Sequence, residues 1–248
     1  MASSTTQTAE APESVHAVGR IFGALFNPRP TFESIARRPN WFLPVVLLSL
    51  IALGVVGLFS HRGGWPGFFQ RQNENSSQFQ QASPERQQQT LAAQLKYAPP
   101  VAYAEAILGP AIVVVFLAAI FLGIFNLALG TKLNFSTSMG IVSHALMTGL
   151  ISGVLGILVI ALKDPSTVDL QNLIASNAGA FLSNDSPKWM VALLGALDVF
   201  SFWTMILMAI GYSAAAPKKL SFGKAFISLF VTWLLYVVAK VGITAAFS

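Results

Sequence analysis

Trp41–Ser60 reads WFLPVVLLSLIALGVVGLFS, twenty residues without a charged side chain. A helix needs ~20 mainly apolar residues to cross the hydrocarbon layer of a bilayer. An isolated run of this kind could be a buried core helix. Here it is one of five. Ile107–Gly130, Met139–Leu162, Trp189–Tyr212 and Gly223–Phe247 are equally long and apolar. Trp41, Trp189 and Tyr212 fall at run ends, and Trp65 just beyond the first, where amphipathic rings favour the membrane–water boundary.

The rest of the composition agrees. Of 248 residues, 54% are hydrophobic and 10% charged, and the mean hydropathy is +0.63. Soluble domains carry roughly 25% charged residues. The expected fold class is therefore an all-α membrane protein with five transmembrane helices. The net charge of +5 does not point to nucleic acid, because the basic residues are spread beside apolar runs instead of forming a dense patch. In that position they set orientation or meet anionic headgroups. There is no cysteine, which excludes disulfides, zinc thiolates, iron–sulfur clusters and cysteine nucleophiles. Met1–Ser14 has no apolar core of a cleavable signal, so the first span is expected to direct insertion.

Orientation follows from Lys and Arg near the spans. With the N-terminus inside, the inner segments hold Arg20, Arg29, Arg37, Arg38, Lys132, Lys218, Lys219 and Lys224. The outer ones hold Arg62, Arg71, Arg86, Lys96, Lys163 and Lys188, with most of the acids: Glu74, Glu85, Glu105, Asp164, Asp169 and Asp185. The expected topology is N-in, C-out.

Three regions precede or interrupt the spans. Residues 1–13 read as a disordered tail. Residues 14–40 hold two short amphipathic segments, broken at Asn27-Pro28. Val15, Val18, Ile21, Phe22, Leu25 and Phe26 mark the first, and Phe32, Ile35 and Ala36 the second. Flanking basic residues suit helices lying on the cytoplasmic membrane surface; a helical hairpin packed on the protein is the alternative. Residues 41–248 form the membrane domain, with an external loop over 61–106. In that loop Ser83-Pro84-Glu85 is a helix start, Leu91 and Leu95 give a short apolar stripe, and Pro99-Pro100 is expected to end the helix. The rest of the loop reads as a solvated connector. Asn75-Ser76-Ser77 matches a glycosylation acceptor, a pattern common by chance.

Ionisable groups within the spans are few: His144, Asp198 and Lys240. Such groups are functional candidates. In the hairpin turning at about Lys219, Asp198 and Lys240 lie equally far from the turn and hence at equal depth. A direct ion pair is expected, since an unpaired charge in a low dielectric is costly. Were Lys240 to reach outward, Asp198 would be left to Ser201, Thr204 or water. A proton- or ion-coupled site is the functional alternative. Asn126 and His144 flank the turn at Thr131–Ser138 symmetrically, and an amide–imidazole hydrogen bond is expected there. One histidine without further ligands makes a poor metal site. Ala145, Gly149 and Gly153 recur every fourth residue, a spacing that lets helices approach closely; packing within the bundle is expected over dimerisation. No phosphate-cradling glycine loop, H-E-x-x-H, G-x-S-x-G or paired carboxylates occur.

Three stretches together resemble the bacterial branch of the Yip domain family, the Ypt-interacting (Rab-interacting) membrane proteins. They are LFNPRPTFESIARRPNWFLPVVL (Leu25–Leu47), SPERQQQTLAAQLKYAPPVAYAEAILGP (Ser83–Pro110) and DVFSFWTMILMAIGYSAAAPKKLSFGKAFISLFVTWLL (Asp198–Leu235). Order and spacing carry the resemblance; no single motif does. It implies five helices after a cytoplasmic N-terminus, with no catalytic residues and no cofactor. Eukaryotic members are tied to small GTPases and vesicle traffic, and some bacterial relatives look like accessory subunits of export systems. The expected function is a non-enzymatic adaptor or accessory subunit in the bacterial plasma membrane. Its partners would be the bilayer and another membrane protein, not nucleic acid. The alternative is a small transporter or channel using Asp198 and Lys240.

Overall fold

The computed structural model describes residues 17–74, 76–164, 167, 168, 170, 172–183 and 186–246. The expected tail, Ser14, Val15, His16, Asn75, Asp169, Asp185 and Phe247 lie outside the described residues. Among those described, the chain is helical, with one isolated β-bridge and no strand.

Two short helices, α1 (Ala17–Phe26) and α2 (Pro28–Arg37), begin the chain. Pro28 starts α2 where a missing N–H costs nothing. Thr31 Oγ1 donates to the Asn27 carbonyl at 2.8 Å. The hairpin is locked by Arg20, whose guanidinium donates to the Arg38 carbonyl at 2.8 Å and Ser34 Oγ at 3.0 Å. The pair does not lie wholly on a membrane surface. Ile21, Ala24, Phe32 and Ile35 are buried in the main core with residues of the spanning helices. The other side of α1 is apolar too: Val18, Phe22 and Phe26, at intervals of four, are exposed. One face joins the bundle and the other is left for the lipid boundary.

The first span is α3 (Phe42–His61). At its far end α4 (Gly64–Glu74) and α5 (Ser77–Gln80) form a polar cap, where a connector was expected. The cap has its own apolar centre: Phe59, Trp65, Phe69, Ile160 and Val168 are buried together. Arg62 ties it down by donating to the final carbonyls of the third span, at Ile160, Ala161 and Lys163. Arg71 donates to the Val168 carbonyl at 2.6 Å.

Helix α6 (Pro84–Gly123) starts as expected, with Ser83 Oγ capping Arg86 N–H and Pro84 in the first turn. It does not end at Pro99-Pro100. Its 40 residues run through Pro99, Pro100 and Pro110 into one π-helical turn, Ile124–Ala128. An interior proline loses one backbone bond and strains the turn before it. Here Leu91, Leu95, Ala98 and Ala102 pack on the cap's apolar centre on both sides of Pro99-Pro100. Tertiary packing therefore holds the helix through the weak point.

Of the five spans expected from the sequence, the third is divided into α7 (Phe135–Ala145) and α8 (Thr148–Leu162), with a turn at Leu146–Met147. The fourth is divided into α9 (Lys188–Ala196) and α10 (Val199–Ala215). The fifth is α11 (Phe222–Ala246). Among the described residues, four helical stretches are long and apolar enough to cross a membrane: 42–61, 84–128, 135–162 and 222–246. The interrupted fourth run supplies only shorter pieces, with α10 an apolar helix of 17 residues. The outer surface is apolar along these helices, including Ile112 and Phe116 on α6 and Val231 and Leu235 on α11. Exposed apolar area of this extent belongs against lipid.

Small residues set the interhelical distances. A Cβ at Gly149 would meet Leu48 at 3.3 Å, and one at Gly153 would lie 2.6 Å from Ile51. Ala145 is fully buried. The small-residue row of the third span thus faces α3 within one chain.

Candidate functional site

The interruption of the expected fourth span gathers polar groups within an apolar run. Asp198 takes an extended conformation, φ −108°, ψ 134°, and caps α10. Its Oδ2 accepts from Ser201 N–H at 2.8 Å and Ser201 Oγ at 3.0 Å. Its Oδ1 accepts from Ser176 Oγ at 2.5 Å. The backbone around the break is satisfied by the loop before α9. Ala178 N–H donates to the Leu197 carbonyl at 3.3 Å, and Val199 N–H donates to the Ser176 carbonyl at 3.0 Å. Non-helical backbone survives at membrane depth when protein covers it in this way.

Beside the break is an open cleft of about 390 Å³. Ser152 of α8, Ser176 and Asn177 of the loop, and Asp198, Phe200 and Ser201 contribute to its walls. The hydroxyl protons are spent elsewhere: Ser152 Oγ donates to the Gly149 carbonyl at 3.2 Å, and Ser176 and Ser201 donate to Asp198. Asn177 Nδ2 donates to Asn172 Oδ1 at 2.8 Å, while its own Oδ1 is buried with no partner. The walls are rich in unused acceptors.

A polar seam runs from this cleft between α10 and the third span. Thr148 and Thr204 hydroxyls lie 2.6 Å apart, and so do Ser138 Oγ and Tyr212 Oη. Ser138 also donates to the Ala118 carbonyl at 2.8 Å. In this antiparallel register His144 lies level with Met208. His144 is fully buried; its Nδ1 donates to the Gly140 carbonyl at 2.8 Å, and its Nε2 has no partner.

Two expected pairs are not formed. Lys240 is exposed on α11, and among the described residues the ion pair within 4 Å is Arg29–Glu33. Equal depth fixed the height of Asp198 and Lys240, but Asp198 lies in a break of the helix and its carboxylate is held by Ser176 and Ser201. The buried stripe of α11 is Ala225, Leu229 and Val237; Lys240 shares its side of the helix at 100° per residue but lies beyond its last buried residue and is exposed. Asp198 is also turned into its own cap and the 176–177 loop. Of the alternatives expected for it, Ser201 is a partner it has, together with Ser176. Nor does Asn126 reach His144. Its Nδ2 donates to the Leu133 carbonyl at 2.8 Å, and its Oδ1 accepts from Thr131 Oγ1 at 2.7 Å and Leu133 N–H at 2.8 Å. This clamps the turn in which Gly130 and Lys132 have positive φ, 62° and 59°.

A charge test follows. Asp198→Ala removes a helix cap and should cost about 1–2 kcal/mol. Lys240→Ala should stay within about 0.5 kcal/mol of the parent. The double exchange, Asp198→Lys with Lys240→Asp, should melt no higher than Asp198→Lys alone. Thermal unfolding in detergent reads all four, and rescue by the exchange would restore the ion pair to the structure.

Comparison with known protein families decides the lineage. The Yip1 domain family matches residues 22–243. The chain belongs to the Yip1 domain family. The match contains all three stretches that carried the resemblance. It runs from α1 of the hairpin into α11, so in this Yip1 domain the α1–α2 pair belongs to the family fold. No curated protein and no solved structure matches the chain.

Sequence reasoning found Asp198 and Ser201 and missed Ser152, Ser176, Asn177 and the break itself. One signal was present: an aspartate three residues ahead of a serine at the head of an apolar run is a helix start.

Proposed function

We propose that this Yip1-family membrane protein is a non-enzymatic adaptor or accessory subunit of a membrane trafficking or export system. In this reading it lies N-in, C-out in the bacterial plasma membrane, with five crossings, the fourth made by α9 and α10 together. The observation that carries it is the end of the bundle where α1 and α2 are docked. Arg29, Arg37, Arg38, Lys132, Lys218, Lys219 and Lys224 are all exposed there, with Glu33 the one acid among the described residues of that end. A basic end supports a cytoplasmic placement. Because Phe32 and Ile35 bury α2 in the core, the charges stand on a preorganised platform, which lowers the ordering cost of binding a partner.

The test is photocrosslinking in native membranes from probes at Arg37 and Lys218. A membrane-protein partner captured at both, and lost on reversing the charges of Arg37, Arg38, Lys218 and Lys219, is the expected result. Repeated capture of lipid alone would count against an adaptor.

Transport is the second reading, favoured by the interrupted fourth helix, since broken helices mark substrate sites in many transporters. It now rests on Asp198 and the polar seam without Lys240. A proteoliposome flux abolished by Asp198→Asn would place transport first.

A further inference from the structure

The cleft beside the α9–α10 break has a chemistry that selects its ligand, whichever role the whole protein has. Among the described lining residues the formal charge comes from Asp198, and none is Lys, Arg or His. An ionised carboxylate offers about four acceptor positions. Ser176 Oγ, Ser201 N–H and Ser201 Oγ occupy three of them, which leaves one on Oδ1. The hydroxyls of Ser152, Ser176 and Ser201 have each committed their single proton, so they present lone pairs. Asn177 Oδ1 is buried without a partner among the described residues and is closed to a ligand in the cleft. An anion would meet the Asp198 carboxylate and these lone pairs, with the amides of Asn172 and Asn177 the side-chain N–H donors among the described lining residues. A cation with several N–H groups would find complementary partners.

Size and the remaining walls narrow the class. Calcium takes six to eight oxygens, often with several carboxylates. Here there is one carboxylate, and among the described residues no three His, Cys, Asp or Glu side chains are grouped for a metal. The cleft, at about 390 Å³, falls within the range of small organic ligands. Leu173, Ile174 and Phe200 supply apolar wall. An aromatic face also attracts a cation.

We propose that this cleft binds a small primary alkylammonium ion. The ammonium donates to the free position on Asp198 Oδ1 and to the serine oxygens, and the alkyl part lies on Leu173, Ile174 and Phe200. A quaternary ammonium has the charge but no N–H, and sodium has the charge but no alkyl part. These two ions therefore separate the recognised features.

The experiment uses the full chain in nanodiscs, with binding read by titration calorimetry and by the thermal midpoint. The probes are butylammonium, tetramethylammonium and sodium chlorides at matched ionic strength. Butylammonium should bind and raise the midpoint; the other two should not. Asp198→Asn is the main variant, because asparagine caps helices as well as aspartate does while removing the charge. It should weaken butylammonium by about ten- to a hundredfold, the scale of a hydrogen bond to a charged group. Should that variant fold poorly, Gly195→Leu decides. Gly195 is a lining residue with open space around its missing Cβ, and the added side chain should abolish binding by filling the cleft. The proposal is overturned if butylammonium does not bind, if tetramethylammonium or sodium binds equally well, or if binding survives in both variants. Loss of the partner in the crosslinking test would leave these outcomes unchanged, so the two readings fail separately.

Discussion

Replacing Phe32 by alanine should release the α1–α2 hairpin from the bundle. Phe32 is fully buried, on a helix of only ten residues. An isolated helix of that length is unstable in water, so its order comes from what it packs against. Phe32, Ile35 and Ile21 are the large residues that plant the hairpin in the core. Removing a buried phenyl ring costs about 3–5 kcal/mol when the cavity cannot collapse. The neighbours here, Ile141 and Tyr212, are fully buried themselves and have little room to follow. Limited proteolysis between Asn27 and Trp41 is the direct readout, since the parent should resist cleavage there. Phe32→Leu should retain most of the resistance. Equal resistance of the alanine variant and the parent would show that the hairpin is held by something else.

The second large effect is a reversal of sign. Glycine to alanine inside an exposed helix gains about 1 kcal/mol of helix propensity. At Gly242 of α11 nothing lies within 4 Å of the added methyl, and a gain of that size is expected. At Gly211 of α10 the same methyl would lie 2.5 Å from Ile141 Cγ2 and 2.9 Å from Phe32 Cδ1. Both residues are fully enclosed. Overpacking a closed core costs about 1–3 kcal/mol, which exceeds the propensity gain. Gly211→Ala should therefore lower the thermal midpoint and Gly242→Ala should raise it. If both moved the same way, the close approach of α2, α7 and α10 would be wrong.

The membrane class was plain from the sequence because length and apolarity are local properties. Trp41–Ser60 needs no partner to be recognised. The break at Leu197–Asp198 was not plain, because its cause is remote: the backbone of Ser176 and Ala178 pairs with that of Val199 and Leu197. Pro99 and Pro100 failed as a stop signal for a similar reason, since the segment packs against Phe59, Trp65 and Phe69 on other helices and stays helical. In the cleft, Asp198 and Ser201 were legible as neighbours in sequence. Ser152 and Asn177 came from segments whose approach only the folded chain defines. Depth was readable for Asp198 and Lys240; the break that turns the Asp198 carboxylate toward Ser176 and Ser201 was not. Arg20 looked like a surface charge on an amphipathic helix, yet it is nearly enclosed and ties the end of α2 to α1.

One feature of α6 sets a distance. At 1.5 Å per residue, its 40 residues extend roughly 60 Å, about twice the hydrocarbon thickness. With the apolar half from Ile107 onward in the bilayer, the half that begins at Pro84 stands clear of it as a mast. The α4–α5 cap is fastened to that mast. Anything that meets the cap does so at a height fixed by a helix, which neither stretches like a loop nor sags toward the lipid.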